Sequence, residues 1–313
     1  METTKVSPQW IEKSWLMDKI ITISEHSRQT YRDTSYQAHR KETGEQFVAS
    51  CTAPIDIVHY PAKQLDTIDL NMDFEYDFNF LTVAQWGPRK NLENTIKWFL
   101  DEFKDKEIGL IVKTNFAKNC LLDRRLTLNT LRTLIDTKSK RKCKVYLLHG
   151  YMRDEEINSL YSHPKVKCLL SATHGEGFGL PIFEAAYNGL PIIAPSWSGH
   201  VDFLFMPKKE KNGKIKNKSM FSKVDYTMVP IPPEAVWEGV IQGDSMWCAV
   251  KESSFKLKMK DMVDNWSHHK KRATDLQKHV LKTFDQDRQY KAFVDSILDT
   301  IGAPPDADVV EFD

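Results

Sequence analysis

Short apolar segments alternate with longer segments of helical periodicity along the middle of the chain. The apolar segments are rich in Val, Ile, Leu and Phe, which is typical of strands that are buried on both faces. They lie at 78–84, 108–114, 144–150, 166–171 and 191–194. Between the first two, Leu92 to Phe103 carries apolar side chains at helical spacing, and helices are also predicted over 122–135 and from Asp154 onwards. This alternation predicts an α/β fold with a Rossmann-like, doubly wound parallel sheet.

The pattern differs on either side of this region. Before it, helices are predicted at 9–17 and 25–32, and extended segments at 19–24 and 52–60. After it, residues 205–229 predict a hairpin or flap, whose turn at 208–218 is rich in Lys, Gly and Asn. Two long helices are predicted next, at 253–284 and 286–301, and residues 306–313 form an acidic tail.

The stretch from Val166 to Leu204 predicts a strand, a glycine-rich turn, a helix and a second strand. Leu180-Pro181 opens the helix, because proline is tolerated in the first turn, and Gly189 ends it. A glycine-rich turn between a parallel strand and a helix start favours an anion, since backbone N–H groups and the positive end of the helix dipole meet there. The N–H groups expected to face the anion are those of Gly177, Phe178, Gly179 and Leu180.

Two carboxylates bracket this turn. Glu176 lies in the loop, and Glu184 follows eight residues later, inside the helix. The sequence E-G-F-G-L-P-x-x-E-A, followed by G-L-P-I-I-A, resembles the E-x7-E signature of retaining glycosyltransferases with the GT-B fold, glycosyltransferase family 4 in particular. Residues 18–27 resemble the end of the first domain of those enzymes. The alternative is an ordinary Rossmann-type strand, turn and helix with two surface acids.

The resemblance implies a division into three parts. Residues 1–65 correspond to a remnant of the first GT-B domain and its linker, residues 66–284 to the nucleotide-sugar-binding domain, and residues 285–313 to a C-terminal helix and acidic tail. Most of the first domain is therefore expected to lie outside this chain. A partner chain could supply it, and a homodimer is a further possibility.

The same resemblance implies an activity. It is transfer of a sugar, with retention of configuration, from a nucleotide-diphosphate sugar to an unknown acceptor, without a metal ion or other cofactor. Two alternatives stay open. One is a non-catalytic or partner-dependent module that binds a nucleotide sugar, and the other is an epimerase or phosphorylase of similar architecture.

The resemblance also assigns roles to individual residues. Glu176 is the expected catalytic residue and contacts the donor sugar. Glu184 is expected to accept hydrogen bonds from the ribose. Tyr151 and Met152 lie where the family holds the base, largely through main-chain groups. His174 is expected to line the sugar pocket, although a single histidine is more often structural.

Two basic residues are expected to bind the diphosphate. Metal-independent family members carry a G-R-x-x-x-x-K pattern after the first strand of this domain, and Lys90 matches its lysine. Gln85 occupies the arginine position. Arg89 could supply the missing charge, but the side chains of Arg89 and Lys90 are expected to point in different directions because the two residues are adjacent.

Composition narrows the possibilities further. The chain has 313 residues and a formal net charge of +1, so no global field attracts nucleic acid or an anionic membrane. Its five cysteines show no C-x-x-C spacing, which is typical of reduced thiols. No apolar run approaches the roughly 20 residues of a spanning helix, and the polar N-terminus lacks a signal-peptide core. We therefore expect a cytoplasmic protein without a membrane span.

Overall fold

The computed structural model describes residues 1–40, 42–136, 140–210 and 212–301. Two short 3₁₀ turns, Pro88–Lys90 and Pro233–Ala235, accompany its strands and helices. The strands are β1 (Ile20–Thr22), β2 (Ser35–His39), β3 (Gln46–Ser50), β4 (Ile55–Ile57), β5 (Asn79–Val83), β6 (Gly109–Lys113), β7 (Lys144–Leu148), β8 (Val166–Leu170), β9 (Ile192–Pro195), β10 (Phe205–Lys209), β11 (Ile215–Ser219), β12 (Ser222–Val224), β13 (Tyr226–Pro230) and β14 (Met246–Val250). The helices are α1 (Pro8–Ser14), α2 (Glu25–Asp33), α3 (Leu92–Phe103), α4 (Leu121–Asp136), α5 (Asp154–Ser162), α6 (Leu180–Tyr187), α7 (Val201–Leu204), α8 (Glu252–Asp264), α9 (Trp266–Thr283) and α10 (Gln286–Ile301).

A six-stranded parallel sheet forms the centre of the molecule. Its strand order is β12-β9-β8-β5-β6-β7, which corresponds to the order 3-2-1-4-5-6 of doubly wound nucleotide-binding sheets when the strands are numbered from β5. The α/β class and the doubly wound sheet are therefore confirmed. The strand order reverses between β5 and β8, and ligands of such sheets bind beyond the carboxyl ends of the strands at that point. The loops after β5 and β8 border this crevice.

Apolar side chains cover both faces of the sheet. One cluster gathers aromatic residues of α6, α7 and the end of α9, including Phe183, Phe203 and Phe284. The other joins β5 to α3 and α8, with Phe80, Phe99 and Phe255 among its members. The five predicted strands of this region are confirmed as β5 to β9. Along these strands, successive apolar side chains alternate between the two layers.

The amino-terminal segment forms a smaller layer beside the sheet. β1 and β4 pair in parallel, and α2 begins at Ser24, whose hydroxyl accepts a hydrogen bond from the N–H of Ser27 at 3.1 Å. The last helix returns to this layer. The Lys19 ammonium donates to the carbonyl of Ser296 at 2.8 Å, and the Ser296 hydroxyl donates to Asp56 at 2.7 Å. α10 therefore holds the two ends of the described chain together.

Two expectations about the flanks differ from the structure. The single helix expected over 253–284 is wrong, because α8 ends at Asp264 and α9 begins at Trp266. Between them, Asn265 leaves the helical conformation and its amide donates to the Asp261 carboxylate at 2.8 Å, while the indole N–H of Trp266 donates to Lys167 at 3.1 Å. The antiparallel hairpin of β2 and β3 is not predicted by the pattern.

The structure also tests the hairpin and the last helix that are predicted after the central sheet. The hairpin expected over 205–229 is confirmed over 205–219, where β10 pairs with β11, whereas β12 joins the central sheet and β13 pairs with β14. The helix expected over 286–301 is α10. The acidic tail, 306–313, lies outside the described residues. Among the described helices, none combines the length and the apolar character that crossing a membrane requires.

Candidate functional site

The loop after β8 holds Glu176 at the crevice. The N–H of Glu176 donates to the Ser198 hydroxyl at 2.9 Å, and its carbonyl accepts from the N–H of Gly199 at 2.8 Å. A Cβ atom on Gly199 would lie 2.0 Å from the carbonyl oxygen of Gly177, so only glycine permits this contact between the loops after β8 and β9. The backbone of Glu176 is thus fixed from outside its own loop.

Two cations neutralise the Glu176 carboxylate. The Lys90 ammonium lies 2.6 and 2.8 Å from its two oxygens, and the Arg89 guanidinium lies 3.2 Å from one of them. The expectation that Arg89 and Lys90 point in different directions is wrong, because the 3₁₀ turn Pro88–Lys90 and the left-handed conformation of Asn91 bring both side chains to one carboxylate. Arg89 also donates to the carbonyl of Gly175 at 2.7 Å.

These contacts set the protonation of the group. Burial raises the pKa of Glu176, which is only 7% exposed, but Lys90 and Arg89 outweigh burial and hold this pKa below its ordinary value. The pKa of Lys90 is also lowered, by burial first and by Arg89 next, against the opposing effect of Glu176. Glu176 is therefore an ionised carboxylate inside the protein, and the cluster of three groups carries one excess positive charge.

The start of α6 provides free N–H groups beside this cluster. Gly179 precedes the helix with φ of +90°, a conformation that favours glycine, and Pro181 lies in the first turn. Across the described ranges, no protein acceptor is bonded to the N–H groups of Gly177, Phe178, Gly179 and Leu180. The Phe178 ring is buried against Phe183 and Phe203, with centroids 5.0 Å away in each case, and anchors the loop. Binding of an anion by these N–H groups stays a prediction.

Glu184 lies in a different environment. Its carboxylate accepts a hydrogen bond from the Tyr161 hydroxyl at 2.8 Å. Burial raises its pKa, and the bond from Tyr161 and the charge of Lys63 oppose that rise without cancelling it. The two carboxylates of the motif therefore have pKa values shifted in opposite directions.

Tyr151 and Met152 follow β7, which is separated from β8 by β5 and β6. The Tyr151 side chain is 74% exposed, and Met152 is half-buried. Both border a cleft at the carboxyl ends of β5, β6 and β7, together with Lys113, whose ammonium donates to the carbonyl of Gly150. A base-sized ring could enter this cleft from solvent.

His174 connects the Glu176 loop to β14. Its Nδ1–H donates to the carbonyl of Cys248 at 2.6 Å, and its ring stacks on Trp247 with centroids 4.5 Å apart. Its backbone N–H donates to the carbonyl of Arg89 at 2.8 Å. Burial lowers the pKa of this histidine, so the ring is neutral at pH 7. A role in the sugar pocket stays a prediction, and the observed contacts give His174 a structural role.

Sequence reasoning missed several residues at this site. Glu2 lies 3.6 Å from the Arg89 guanidinium, and the Ser24 hydroxyl donates to the carbonyl of Gly177 at 2.6 Å. Both come from the amino-terminal layer. Ser24 lies within the 18–27 resemblance, which assigns it no role at this site, and no local motif marks Glu2. Gln85, in the position where the resemblance expects an arginine, donates to the carbonyl of Phe116 at 2.6 Å. Within the described part of the chain, no group of three or more His, Cys, Asp or Glu residues is arranged to hold a metal ion.

Part of the chain matches a known protein family. Residues 74–213 match the family model described as Glycosyl transferases group 1. The matched segment contains the loop after β5, the loop after β8 and α6, and therefore Lys90, Glu176 and Glu184. No curated protein matches the sequence.

Solved structures share the fold. A sucrose-phosphate synthase from Thermosynechococcus elongatus aligns with a TM-score of 0.63 at 12% identity, over 95% of this chain and 63% of that one. A glycosyltransferase from Rickettsia africae gives 0.60 at 11% identity, over 96% and 69%. The pneumococcal O-GlcNAc transferase, solved in complex with UDP and GlcNAc, gives 0.55 at 10% identity, over 95% and 48%. This chain thus spans about half to two thirds of their lengths. The family match over part of the chain and the shared fold agree with the GT-B architecture that the sequence predicts.

Proposed function

We propose that this chain transfers a sugar from a nucleotide-diphosphate sugar to an acceptor, with retention of configuration and without a metal ion. The observation that carries the proposal is the buried cluster of Glu176, Lys90 and Arg89 at the start of α6, in the crevice where the strand order reverses. It places an ionised carboxylate, two cations and free N–H groups around one point.

This arrangement fits the charges of the reaction. When the bond to the leaving diphosphate breaks, negative charge grows on the phosphate and positive charge grows on the sugar ring. Fixed donors stabilise such developing charge effectively, because they need no reorganisation. Lys90, Arg89 and the N–H groups of Phe178 and Gly179 would serve the diphosphate. Glu176 would face the ring.

The remaining predicted residues extend the donor site along the sheet edge. Glu184 would accept hydrogen bonds from the ribose, and the cleft beside Tyr151 and Met152 would receive the base. The path runs from the loop after β8 to the loop after β7. Nucleotides bind along this edge in doubly wound sheets.

Calorimetric titration with UDP-, GDP- and ADP-sugars, in the presence of a chelator, tests the proposal. We expect one of these donors to bind, and the purified chain to hydrolyse it slowly. NMR of the first sugar released should show the anomeric configuration of the donor. Release of the opposite anomer would contradict retention, and a requirement for added metal would contradict metal independence.

A second candidate function is a binding module that needs a partner for catalysis. It is favoured by Gln85, a neutral residue whose amide is already bonded to Phe116, in place of the expected arginine. Donor binding without any hydrolysis, by the wild-type chain and by Gln85→Arg alike, would support the module. Hydrolysis that is lost in Glu176→Gln would support the enzyme.

A further inference from the structure

We propose that this chain also provides part of the acceptor site: the cleft between the turn 86–90 and the segment 233–247 binds a neutral saccharide, with Trp237 as its stacking surface. The inference rests on the proposed function and goes beyond it, because it names the class of acceptor.

The cleft opens directly beside the charged cluster. The 3₁₀ turns Pro88–Lys90 and Pro233–Ala235 face each other across it. Its volume is about 330 Å³, within the range of small-ligand sites. Arg89 and Lys90 border one end, and Trp237 and Val236 border the opposite wall. A molecule in this cleft would lie next to a sugar held at Glu176.

The side of the cleft that carries Trp237 and Trp247, here called the aromatic wall, is held in place relative to Glu176. Trp247 stacks on His174, and the N–H of Cys248 donates to the carbonyl of His174 at 3.1 Å. The turn after Trp237 is held from the other side, since the indole N–H of Trp10 donates to the carbonyl of Gly239 at 2.9 Å. A rigid wall matters for group transfer, because rates depend strongly on the position of the acceptor hydroxyl.

Three apolar residues of the aromatic wall are exposed to solvent. Trp237 is 65% exposed, and the neighbouring Val236 and Val240 are 44% and 37% exposed. Contiguous apolar residues with a polar rim mark binding sites more often than inert surface. A pyranose ring suits them, because one of its faces consists of C–H groups that stack on an indole while its hydroxyls point outwards. Glu2 and Glu234 border the cleft and can accept bonds from those hydroxyls.

The charged groups that line the cleft favour a neutral saccharide over a polyanion as its occupant. Arg89 and Lys90, the cations that line the cleft, pair with Glu176, and Arg89 also with Glu2. In the proposed reaction they serve the donor diphosphate, so they are not available to a second polyanion. The outer rim adds the carboxylate of Glu234. Nucleic acid binds through clusters of uncommitted Lys and Arg that neutralise phosphates. The rim of this cleft has the opposite character, so a nucleic acid is the less suitable occupant.

The test uses the full chain and a matched pair of tryptophan variants. Trp237→Ala removes the stacking surface. Trp15→Ala is the control, since Trp15 is 43% exposed and donates to Ser50 in the amino-terminal layer, away from the cleft. Binding of maltohexaose, cellohexaose, chitohexaose, xylohexaose and a thymidine decanucleotide is measured by calorimetry. Donor hydrolysis and the oligomeric state are measured for each protein.

We expect at least one oligosaccharide to bind the wild-type chain. Its Kd should rise about tenfold or more in Trp237→Ala, as for other exposed aromatic anchors, and stay unchanged in Trp15→Ala. Donor hydrolysis should remain within about twofold in both variants, as expected for surface changes outside the donor site.

Four results would overturn the inference. They are the absence of oligosaccharide binding, oligosaccharide binding that Trp237→Ala leaves unchanged, tighter binding of the decanucleotide, and a dimer that Trp237→Ala dissociates. In each case, intact donor hydrolysis would leave the proposed function standing. Loss of donor binding and hydrolysis in the wild-type chain would instead contradict the proposed function itself.

Discussion

Glu176 and Glu184 belong to one motif, eight residues apart, yet their surroundings are opposite. Glu176 is held by two cations, and its pKa lies below the ordinary value although burial acts against this. Glu184 is held by a neutral phenol, and burial raises its pKa. The same side chain is therefore stabilised as a charge at one end of the motif and destabilised as a charge at the other.

The eight-residue spacing of Glu176 and Glu184 does not by itself predict this difference in environment. A turn that ends in a helix start places one carboxylate at the sheet edge and the next on the flank of the helix. The cations come from a separate loop, after β5, and reach only the first carboxylate. Under the proposed function, a fixed charge suits Glu176 to transition-state stabilisation, whereas Glu184 suits recognition.

The largest expected effect is the loss of activity in Glu176→Gln. The amide keeps the shape but cannot balance the positive charge on the sugar ring, so we expect turnover to fall at least about 100-fold. Donor hydrolysis under saturating donor measures it. Glu107→Gln, on the exposed loop between α3 and β6 at the opposite edge of the sheet, is the control. A loss of less than about threefold would remove Glu176 from the reaction centre.

Stability should change in opposite directions in the two variants. Glu176→Gln leaves the partly buried Lys90 without its counter-charge and Arg89 with only Glu2, at 3.6 Å, which should cost about 3 kcal/mol at pH 7. Glu184→Gln removes a carboxylate that burial disfavours, and its amide oxygen can still accept from Tyr161. This variant should gain up to about 1 kcal/mol at pH 7. Urea unfolding of both variants and the wild type gives the two differences.

The pH dependence of these differences follows from the signs of the shifts. Glu176 has a lowered pKa, so its stabilising contribution is present above its ordinary value of 4.5 and is lost as pH falls through the folded-state pKa. Glu184 has a raised pKa, so its cost is absent below 4.5 and appears as pH rises through the folded-state pKa. As pH falls from 7 to 4 in these unfolding measurements, the gain in Glu184→Gln should therefore shrink towards zero, whereas the loss in Glu176→Gln should stay constant down to about pH 5 and begin to shrink only below 4.5. Two differences of the same sign would contradict the assignment of the environments.

The sequence predicts those strands, turns and helices that are encoded within one short stretch of residues. The strand, turn and helix of 166–187 are encoded by the buried apolar run, the glycines and Pro181. The hairpin of β2 and β3 has a weaker signal, because its two five-residue strands contain only one β-branched apolar residue, Val48, and no apolar run longer than three residues. The break at Asn265 is hidden for a related reason, since its neighbours have good helical periodicity and the bond from Trp266 to Lys167 is distant in sequence.

The residues of the candidate site likewise divide into those that a local sequence pattern predicts and those that it does not. Glu176, Glu184 and the N–H groups of α6 follow from spacing within one stretch. The link from His174 to Trp247 and the contact of Glu2 with Arg89 join residues that are more than 70 positions apart. No local pattern encodes such pairs, because they depend on how the separate elements pack. The approach of both Arg89 and Lys90 to Glu176 likewise depends on the left-handed Asn91.

A moderate effect is expected for donor affinity in Glu184→Gln. Loss of a charged acceptor for the ribose hydroxyls should raise the KM for the donor about tenfold and leave kcat nearly unchanged, since the ribose takes no part in bond breaking. Steady-state kinetics at pH 8 separates the two constants, with Glu107→Gln again as the control. An equal fall in kcat would place Glu184 at the reaction centre and remove the distinction between the two carboxylates.

The smallest effect tests the environment of Glu184 through its partner. Tyr161→Phe removes the hydrogen bond that opposes the rise in the pKa of Glu184, so this pKa should rise further. The KM for the donor should change less than about threefold at pH 8, where the carboxylate is ionised in both proteins. As pH falls, KM should increase at a higher pH in the variant than in the wild type. Tyr187→Phe is the control, because Tyr187 lies near Glu184 and packs on Phe183 at 5.4 Å. Parallel pH profiles for wild type and Tyr161→Phe would show that the ionisation of Glu184 does not govern donor binding.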